Sequence, residues 1–487
     1  MTKKLWSSGV IAIVVMILVS ACSTSNATPT PAGSATPAPS ATTAHVPAVP
    51  TVPTGYTELD QALGADQPFK GKAVTIQTQW ILGEGDNFDS AVADFEKATG
   101  IDVKANRISS QHEVLLKAAI EAGTPPDLAT LAQPSAVVQY GSRGQALDVA
   151  KFMDPTKLNA DFAAGFGTKL VSGPNGEIYG IPYKVDVKST VWYPIKAFAA
   201  AGYKVPTTWE ELQTLAAKIV ADGAGSPWCV AILDGPATGW IATDWVEDVM
   251  LRTAGIDKYN EWIPGTLKFD SPEVRHALDV IGEQWFKDKY VYNGYKSITA
   301  TDRLEAMDGM FPADGSNNWD AKTPKCWMHR QATWFGPDFF PDKRAGAAVS
   351  QYKLGEDIGL FYFPPIDAAQ GKPGLGAGDT LMVLTDRPEV RATAQFLATP
   401  YGLKNWIDIG SAQSANVNTP KEWYKSYKQQ VAADIVSNST SFGFDASDLM
   451  PPAVNSAFWA GMVKWIEAGG ANTDEVVKGI DATWPAP

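Results

Sequence analysis

Residues 73–80 read AVTIQTQW, and this stretch decides the fold class. Its even-numbered positions face one side and its odd-numbered positions the other, which is the period-two pattern of a β-strand. Phe88, Val92 and Phe95 then recur at helical spacing, and Gly100 ends the helix. A strand followed at once by an amphipathic helix is the first half of a β-α-β unit.

The alternation of strands and helices continues after this helix. A second strand begins at residues 101–103, an apolar helical pattern covers 114–122, and a third short strand occupies 128–131. Strands joined by helices in this order predict a parallel sheet with right-handed crossovers.

A similar unit recurs in the second half of the chain. Residues 187–193 have the pattern of a strand, and Thr208 with Glu211 forms a capping box at the start of a helix. Residues 358–363 and 380–384 have the apolar composition of buried strands. A chain of 487 residues is too long for one hydrophobic core. The sequence therefore predicts two α/β lobes.

The N-terminus has the layout of an export signal. Lys3 and Lys4 are followed by an apolar run at 10–19 and by the small residues Ser20 and Ala21. The run is shorter than the roughly 20 residues that a membrane-spanning helix needs. We therefore expect residues 1–21 to be a signal peptide.

Cys22 follows the two small residues, so that residues 19–22 resemble a bacterial lipobox. The resemblance implies that Cys22 receives a lipid and anchors the exported protein to the outer face of the cytoplasmic membrane. An ordinary signal peptide with a chance cysteine is the alternative. Residues 22–56 consist largely of Ala, Thr, Pro and Ser, which predicts a disordered tether, or a glycosylated stalk that acts as a spacer.

Charge and cysteine content narrow the class of protein further. The chain has 40 basic and 53 acidic residues and a net charge of −13, without a basic cluster that would bind nucleic acid. Cys229 and Cys326 remain after Cys22, and an even pair outside the cytoplasm indicates a disulfide. Two buried thiols are the alternative.

Common catalytic motifs are missing from the sequence. It contains no G-x-S-x-G, no H-E-x-x-H and no phosphate-binding loop. His112, His276 and His329 are scattered and lack metal-ligand spacing, so we predict neither a metal nor a cofactor. Two carboxylates at a fixed separation could still hydrolyse a glycoside, but no pair stands out among the 53 acids.

Several of the 17 tryptophans have polar neighbours. Residues 240–248, 317–320 and 326–331 each combine tryptophan with carboxylate, amide or guanidinium side chains. An indole face covers the apolar C–H face of a sugar, and the polar groups bind its hydroxyls. As a set these segments indicate a carbohydrate-binding cleft, although any one tryptophan could equally belong to the core.

The chain from about residue 71 onward resembles the extracellular solute-binding proteins of ABC sugar importers, and most closely their α-glucoside-binding branch, relatives of maltose-binding protein. Four segments have sequences that are common to many members of the family. They are 95–101, 126–128, 179–183 and 206–212. In this chain's match to the branch's Gly-Gly-Asp motif, Ala377 replaces the first glycine. Five further segments resemble the α-glucoside branch more specifically. They are 243–248, 251–255, 325–331, 376–379 and 444–451.

The resemblance implies an α/β fold of two lobes in the Venus-flytrap arrangement, each a mainly parallel sheet flanked by helices. We expect residues 57–182 with 377–435 in the first lobe and 183–376 with 436–487 in the second. Such a protein is a monomer without enzymatic activity, captures an α-glucoside or short oligosaccharide between its lobes, and delivers it to a permease.

Ligands of parallel sheets bind beyond the carboxyl ends of the strands, which face the cleft in this family. We therefore expect ligand-binding residues after the strands of the first lobe and in the tryptophan-rich segments of the second. They are Trp80, Glu84, Asp86, Gln133 and Asp379, together with Trp240, Asp244, Trp245, Trp319, Trp327 and Asp445. A secreted glycoside hydrolase and a sugar-sensing receptor without transport are the alternative functions.

Overall fold

The computed structural model describes residues 48–162, 166–311, 324–339 and 352–486. These residues all belong to one compact unit of the chain. None of the helices in these ranges is long and apolar enough to cross a membrane. The predicted signal peptide, Cys22 and Trp319 lie outside the described residues.

The described residues contain strands of two sheets and helices that cover them. The strands are β1 Ala73–Thr78, β2 Asp102–Arg107, β3 Leu128–Leu131, β4 Ile181–Val187, β5 Thr190–Pro194, β6 Ser226–Trp228, β7 Cys326–Arg330, β8 Ile358–Tyr362, β9 Pro373–Val383, β10 Gln413–Ser414 and β11 Ser441–Phe444. The α-helices are α1 Thr57–Leu63, α2 Leu82–Thr99, α3 His112–Glu121, α4 Pro134–Ser142, α5 Pro155–Asp161, α6 Ile195–Ala201, α7 Trp209–Ala221, α8 Trp240–Thr253, α9 Gly255–Trp262, α10 Pro272–Trp285, α11 Pro388–Ala398, α12 Lys404–Ile409, α13 Tyr427–Asn438, α14 Ala446–Leu449, α15 Pro452–Glu467 and α16 Thr473–Asp481.

The first sheet has the order β10-β4-β9-β3-β1-β2, with β11 paired to β9. Strand β1 is parallel to both β2 and β3, as the sequence pattern predicts. Helix α2 ends where Gly100 adopts a φ of 71°, a conformation that side chains with a Cβ avoid. We call the part built on this sheet the first lobe.

The long strand β9 crosses the first sheet between β3 and β4 and is antiparallel to both. All eleven of its residues are buried. Its partner β4 ends at Val187, and β5 of the second sheet begins at Thr190, so that Lys188 and Ser189 carry the chain from one sheet to the other. The predicted strand at 187–193 therefore falls across this junction.

The second sheet has the order β6-β7-β5-β8. Within it β6 and β7 are parallel, whereas β5 is antiparallel to both of its neighbours. This sheet is more mixed than the mainly parallel sheet that the sequence predicts. We call the part built on it the second lobe. Helix α7 packs against β6 of this sheet and is capped by the preceding Thr208, whose hydroxyl accepts a hydrogen bond from the Glu211 main-chain amide at 3.2 Å.

Two large clusters of buried apolar residues form separate cores. One is made of residues between 56 and 183 together with residues 381–415, and the other of residues between 191 and 480. The predicted disulfide joins Cys229 and Cys326, whose Cα atoms lie 5.3 Å apart. This bridge connects the ends of β6 and β7 and is confirmed.

The end of the predicted tether packs on the first lobe. The Ala48 amide donates a hydrogen bond to Asp94 at 3.1 Å, and Tyr56 is 2 % exposed in the core. Residues 48–56 were expected to be disordered because of their composition. That expectation is wrong for this part, since contacts with the lobe hold it in place.

Candidate functional site

A cleft of about 970 Å³ lies between elements of the two lobes. The first lobe contributes residues that follow β1, β2 and β3, and side chains of β4 and β9. The second lobe contributes the start of α8 and residues of α14 and α15. The three parallel strands thus deliver their carboxyl ends to the cleft, where ligands of such sheets bind.

Three half-buried tryptophans form an aromatic wall on the second-lobe side. They are Trp240, Trp334 and Trp459. The rings of Trp240 and Trp334 have centroids 6.1 Å apart and planes inclined at 47°. The Trp459 indole nitrogen is buried and has no partner among the described residues. Partly exposed indole faces next to hydrogen-bonding groups suit a ligand with apolar and hydroxylated surfaces.

The buried side chain of Lys184 organises the opposite wall. Its ammonium nitrogen lies 2.6 Å from Asp186, 3.1 Å from Glu84 and 3.5 Å from Asp379. Burial alone lowers the pKa of Lys184, but the three carboxylates raise it well above its usual value. Burial raises the pKa of Glu84 to about 7, against the lowering effect of Lys184. Lys184 is therefore a fixed cation that holds three carboxylates at the cleft.

Asp379 is held by two further donors. The Trp80 indole donates to one carboxylate oxygen at 2.9 Å and the Gln79 amide to the other at 2.5 Å. Trp80 is 1 % exposed and packs against Phe88 and Trp406. Although Trp80 lines the cleft, its ring belongs to the core and its indole N–H fixes Asp379.

A second buried lysine lies at the junction between the sheets. The Lys188 ammonium group lies 2.7 Å from Asp244 and 2.5 Å from Asp445. Burial and the neighbouring Asp445 raise the pKa of Glu247 and of Asp448 well above the usual value for a carboxyl group. Four carboxyl groups thus share one nearby ammonium group.

This acidic cluster also has the only arrangement among the described residues with the spacing of metal ligands. One carboxylate oxygen of each of Asp244, Glu247 and Asp445 lies within 4.8 Å of the others. The Lys188 ammonium group forms ion pairs with two of the three. An internal cation therefore already compensates the charge that a metal would neutralise.

Asp234 and Arg303 form a third charged group at the cleft. Arg303 Nε lies 2.8 Å from Asp234, which also accepts a hydrogen bond from the Trp240 indole at 2.9 Å. The Arg303 guanidinium lies 5.6 Å from the centre of the Trp334 ring. These contacts fix the orientation of two of the three wall tryptophans.

The structure brings most of the predicted site residues together. Those that line the cleft are Trp80, Glu84, Gln133, Trp240, Asp379 and Asp445. Asp244 lies behind Lys188 and is 1 % exposed, inside α8 rather than at its start, so that it does not cap the helix. Asp86 is exposed and pairs with Arg107 at 2.9 Å outside the cleft.

Two of the predicted tryptophans lie in the core of the second lobe. Trp245 packs edge-on against Trp228 and Trp285, and Trp327 packs against Tyr203. Both are at most 1 % exposed, and neither lines the cleft. The ligand-stacking roles expected of Trp245 and Trp327 are wrong for this structure, because no face of either ring is free.

The sequence interpretation missed several residues of the cleft. Trp334 lies three residues beyond the 325–331 segment, and Trp459 lies in a helix without polar neighbours of the kind used as a signal. Lys184 and Lys188 had a detectable signal, since each lies beside apolar residues of a buried strand and a buried lysine needs a charged partner. Other charged residues that it missed are Glu113, Asp186, Asp234, Arg303 and Asp448.

Comparisons with known proteins fit this architecture. Residues 80–404 match the model of the bacterial extracellular solute-binding protein family, and the chain belongs to that family. It is similar to the alpha-glucosides-binding periplasmic protein AglE of Rhizobium meliloti, with 36 % identity over 85 % of this chain and 87 % of AglE. It is also similar to the osmoprotective compounds-binding protein GgtB of Synechocystis, with 32 % identity over 85 % of this chain and 93 % of GgtB.

Solved structures share the fold. A chitin oligosaccharide binding protein superposes with a TM-score of 0.69 at 17 % identity, over 85 % of this chain and 98 % of that one. The GacH receptor of Streptomyces glaucescens does so with a TM-score of 0.63 at 16 % identity, over 85 % of this chain and 97 % of that one. The predicted two-lobed α/β fold is confirmed.

Proposed function

We propose that this protein is the carbohydrate-capturing lipoprotein of an ABC importer and that its ligand is an α-glucoside or a short oligosaccharide. The observation that carries the proposal is the wall of Trp240, Trp334 and Trp459 facing the carboxylates around Lys184 across one cleft. The relatives AglE and GgtB, named for binding α-glucosides and osmoprotective compounds, support a ligand of this class.

In this proposal the tryptophans cover the apolar faces of the sugar rings, and Glu84, Gln133 and Asp448 bind hydroxyl groups. The Gln133 side-chain oxygen is buried and has no partner among the described residues, so it can accept a hydrogen bond from a ligand. Membership of a solute-binding family supports a role without catalysis.

We further propose that the chain divides into lobes near the boundaries expected from the sequence, with all of β4, β9 and β11 kept in the first lobe because they pair in its sheet. The lobes close over the ligand about the junction at Lys188. A lipid on Cys22 would hold the protein at the outer face of the membrane, close to its permease. A monomer suffices for this role, because the described lobes supply both walls of the cleft.

Titration calorimetry with maltose, trehalose, sucrose and maltotriose tests the proposal. We expect at least one of them to bind with a Kd well below 1 mM, which corresponds to a binding free energy of about −4 kcal/mol. The Trp334→Ala variant should weaken binding, whereas Trp423→Ala, which removes a half-buried tryptophan outside the cleft, should not. Failure of all four sugars to bind more tightly than millimolar would refute the proposal.

A further inference from the structure

The cleft contains more carboxylates than cations. Among its described lining residues, seven are acidic and three are basic, and no histidine is present. The acidic residues are Glu84, Glu113, Asp186, Asp234, Asp379, Asp445 and Asp448, and the basic residues are Lys184, Lys188 and Arg303.

Every one of the three cations already has carboxylate partners. Lys184 contacts three carboxylates, Lys188 contacts two, and Arg303 pairs with Asp234. A ligand anion would therefore compete with protein carboxylates for each cation rather than meet an unpaired one. It would also add negative charge beside buried carboxyl groups, where repulsion between like charges is stronger than in bulk water.

The Trp459 indole N–H, which has no partner in the described part of the chain, offers the ligand one donor, but the carboxyl and amide oxygens of the lining favour a ligand that donates hydrogen bonds. The buried side-chain oxygen of Gln133 lacks a partner among the described residues. The pKa of Glu84 is raised to about 7 by burial, and the pKa values of Glu113 and Asp379 are raised in the same direction, first of all by burial. Burial disfavours the ionised form of these carboxyl groups, so an ionised one is stabilised by a hydroxyl or ammonium donor and destabilised by a further negative charge nearby.

We propose that the cleft selects glycosides by charge: it accepts uncharged or amine-bearing glycosides and excludes glycosides that carry a carboxylate or a phosphate. This inference rests on the proposed function, since it specifies which members of the carbohydrate class bind. The selection comes from the excess of ionised carboxyl groups over cations around the cleft at neutral pH, and it acts on any ring position that the walls enclose.

The test uses three forms of one disaccharide, either trehalose or maltose, whichever binds more tightly. The C6 group of one ring is the natural hydroxymethyl, an aminomethyl or a carboxylate, so that the three ligands differ little in size. At pH 7.5 we expect the amine to bind at least as tightly as the parent sugar and the carboxylate to bind about 100-fold more weakly. Equal losses for the amine and the carboxylate would indicate a steric effect and overturn the inference.

A pH series separates charge from shape. As the pH falls from 7.5 to 5.5, carboxyls with raised pKa values take up protons, and the negative charge of the cleft decreases. The carboxylate sugar keeps its charge over this range, so its disadvantage relative to the parent sugar should shrink several-fold. A ratio that does not change with pH would contradict the inference.

Variants locate the effect in the cleft. Glu84→Gln and Glu113→Gln each remove one carboxylate and should improve binding of the carboxylate sugar several-fold relative to the parent sugar. Asp89→Asn is the control, because Asp89 is an exposed carboxylate that pairs with Arg107 outside the cleft. An equal change in Asp89→Asn would overturn the inference. If none of maltose, trehalose, sucrose and maltotriose binds, the proposed function itself fails, and that outcome is distinct from a failure of charge selection.

Discussion

The ammonium nitrogen of Lys188 lies 2.7 Å from a carboxylate oxygen of Asp244, and both side chains are buried. The sequence left two roles open for Asp244, a hydrogen bond to the ligand or a cap at the start of a helix. The structure gives it a different role, in an ion pair that joins α8 to the junction between the two sheets. Asp445 forms a second ion pair with Lys188, and its carboxylate oxygen lies 2.5 Å from the same nitrogen.

We predict that loss of the lysine destabilises the protein far more than loss of Asp244. Lys188→Met leaves Asp445 and its acidic neighbours without their nearest cation, and leaves Asp244 with only the Arg330 guanidinium at 3.9 Å. It should lower the free energy of unfolding by about 3–5 kcal/mol. Asp244→Asn removes one carboxylate from a surplus and should lower it by less than about 1.5 kcal/mol. Urea unfolding of the two variants measures both values, and similar losses would contradict this description of the cluster.

Trp240 and Trp245 should respond oppositely to truncation. Trp240→Ala removes part of the aromatic wall and should weaken sugar binding at least about tenfold, while stability changes little, because Trp240 is half-buried. Trp245→Ala opens a cavity in the core and should lower the free energy of unfolding by about 3–5 kcal/mol. Calorimetric titration and chemical unfolding of both variants test the contrast, which fails if Trp245→Ala also abolishes binding in the folded protein.

Gly239 holds two of the wall tryptophans at their present separation. Its φ is 121°, and a Cβ added to it would lie 2.3 Å from the main-chain oxygen of Trp459. Gly239→Ala should therefore displace the start of α8 or of α15, destabilise the protein by more than about 1 kcal/mol and weaken sugar binding.

Gly123→Ala is the matched control for this substitution. Gly123 also has a positive φ, of 72°, but a Cβ there meets nothing within 4 Å. Gly123→Ala should therefore lower the free energy of unfolding only by the conformational penalty of about 1 kcal/mol and leave sugar binding unchanged. If both variants bind sugar as the wild type does, the close approach of Gly239 to Trp459 has no role in shaping the cleft.

Removal of the Cys229–Cys326 bridge should lower stability substantially. The two residues are 97 positions apart, and the chain-entropy description assigns about 4–5 kcal/mol to a loop of this length. Thermal unfolding of the Cys229→Ala/Cys326→Ala double variant measures the loss. Adding a reductant should bring the wild type close to the variant and leave the variant unaffected. A variant as stable as the oxidised wild type would refute the estimate.

His112 should make the protein less stable in acid. Burial lowers the pKa of its imidazole to about 4, whereas the unfolded value is near 6.5. Below pH 6.5 the unfolded chain binds the proton and the folded protein does not, so stability is fully present above pH 6.5 and is lost as the pH falls toward 4.

The expected loss from this one group is about 3 kcal/mol. The His112→Gln variant lacks the group, so the difference in unfolding free energy between wild type and variant should change by that amount between pH 7 and pH 4. Unfolding experiments at both pH values measure the change. Parallel pH profiles would show that His112 is not the responsible group.

Local sequence patterns predict the first lobe well, because residues of the two faces alternate along β1 and because α2 ends at a glycine. The predicted strand at 128–131 coincides with β3, and the helix that stops at Gly100 is α2. The apolar pattern at 380–384 predicted only the last residues of β9, which begins at Pro373. Its first half is rich in glycine, a composition that favours turns, and only pairing with β4 and β11 makes it a strand.

The candidate site shows why sequence neighbours are a weak guide to a cleft. Trp240 and Trp245 share polar flanking residues, yet one lines the cleft and the other lies in the core. Five residues of α-helix rotate a side chain by about 140° from the first, so the two rings face nearly opposite directions. The orientation of α8 relative to the sheets, which depends on contacts distant in sequence, decides which ring meets the ligand.

The position of β9 in the middle of the first sheet determines the order in which this chain can fold. Leu128 of β3 pairs with Val383 of β9, so the centre of the sheet joins residues about 250 positions apart. Until β9 arrives, the N-terminal strands leave an edge of unpaired backbone groups that can pair with other chains. Contacts this distant in sequence slow folding, and slow folding prolongs the exposure of that edge. The chain therefore completes its first lobe only after most of its second lobe has been made, and this interval is when it is most exposed to aggregation.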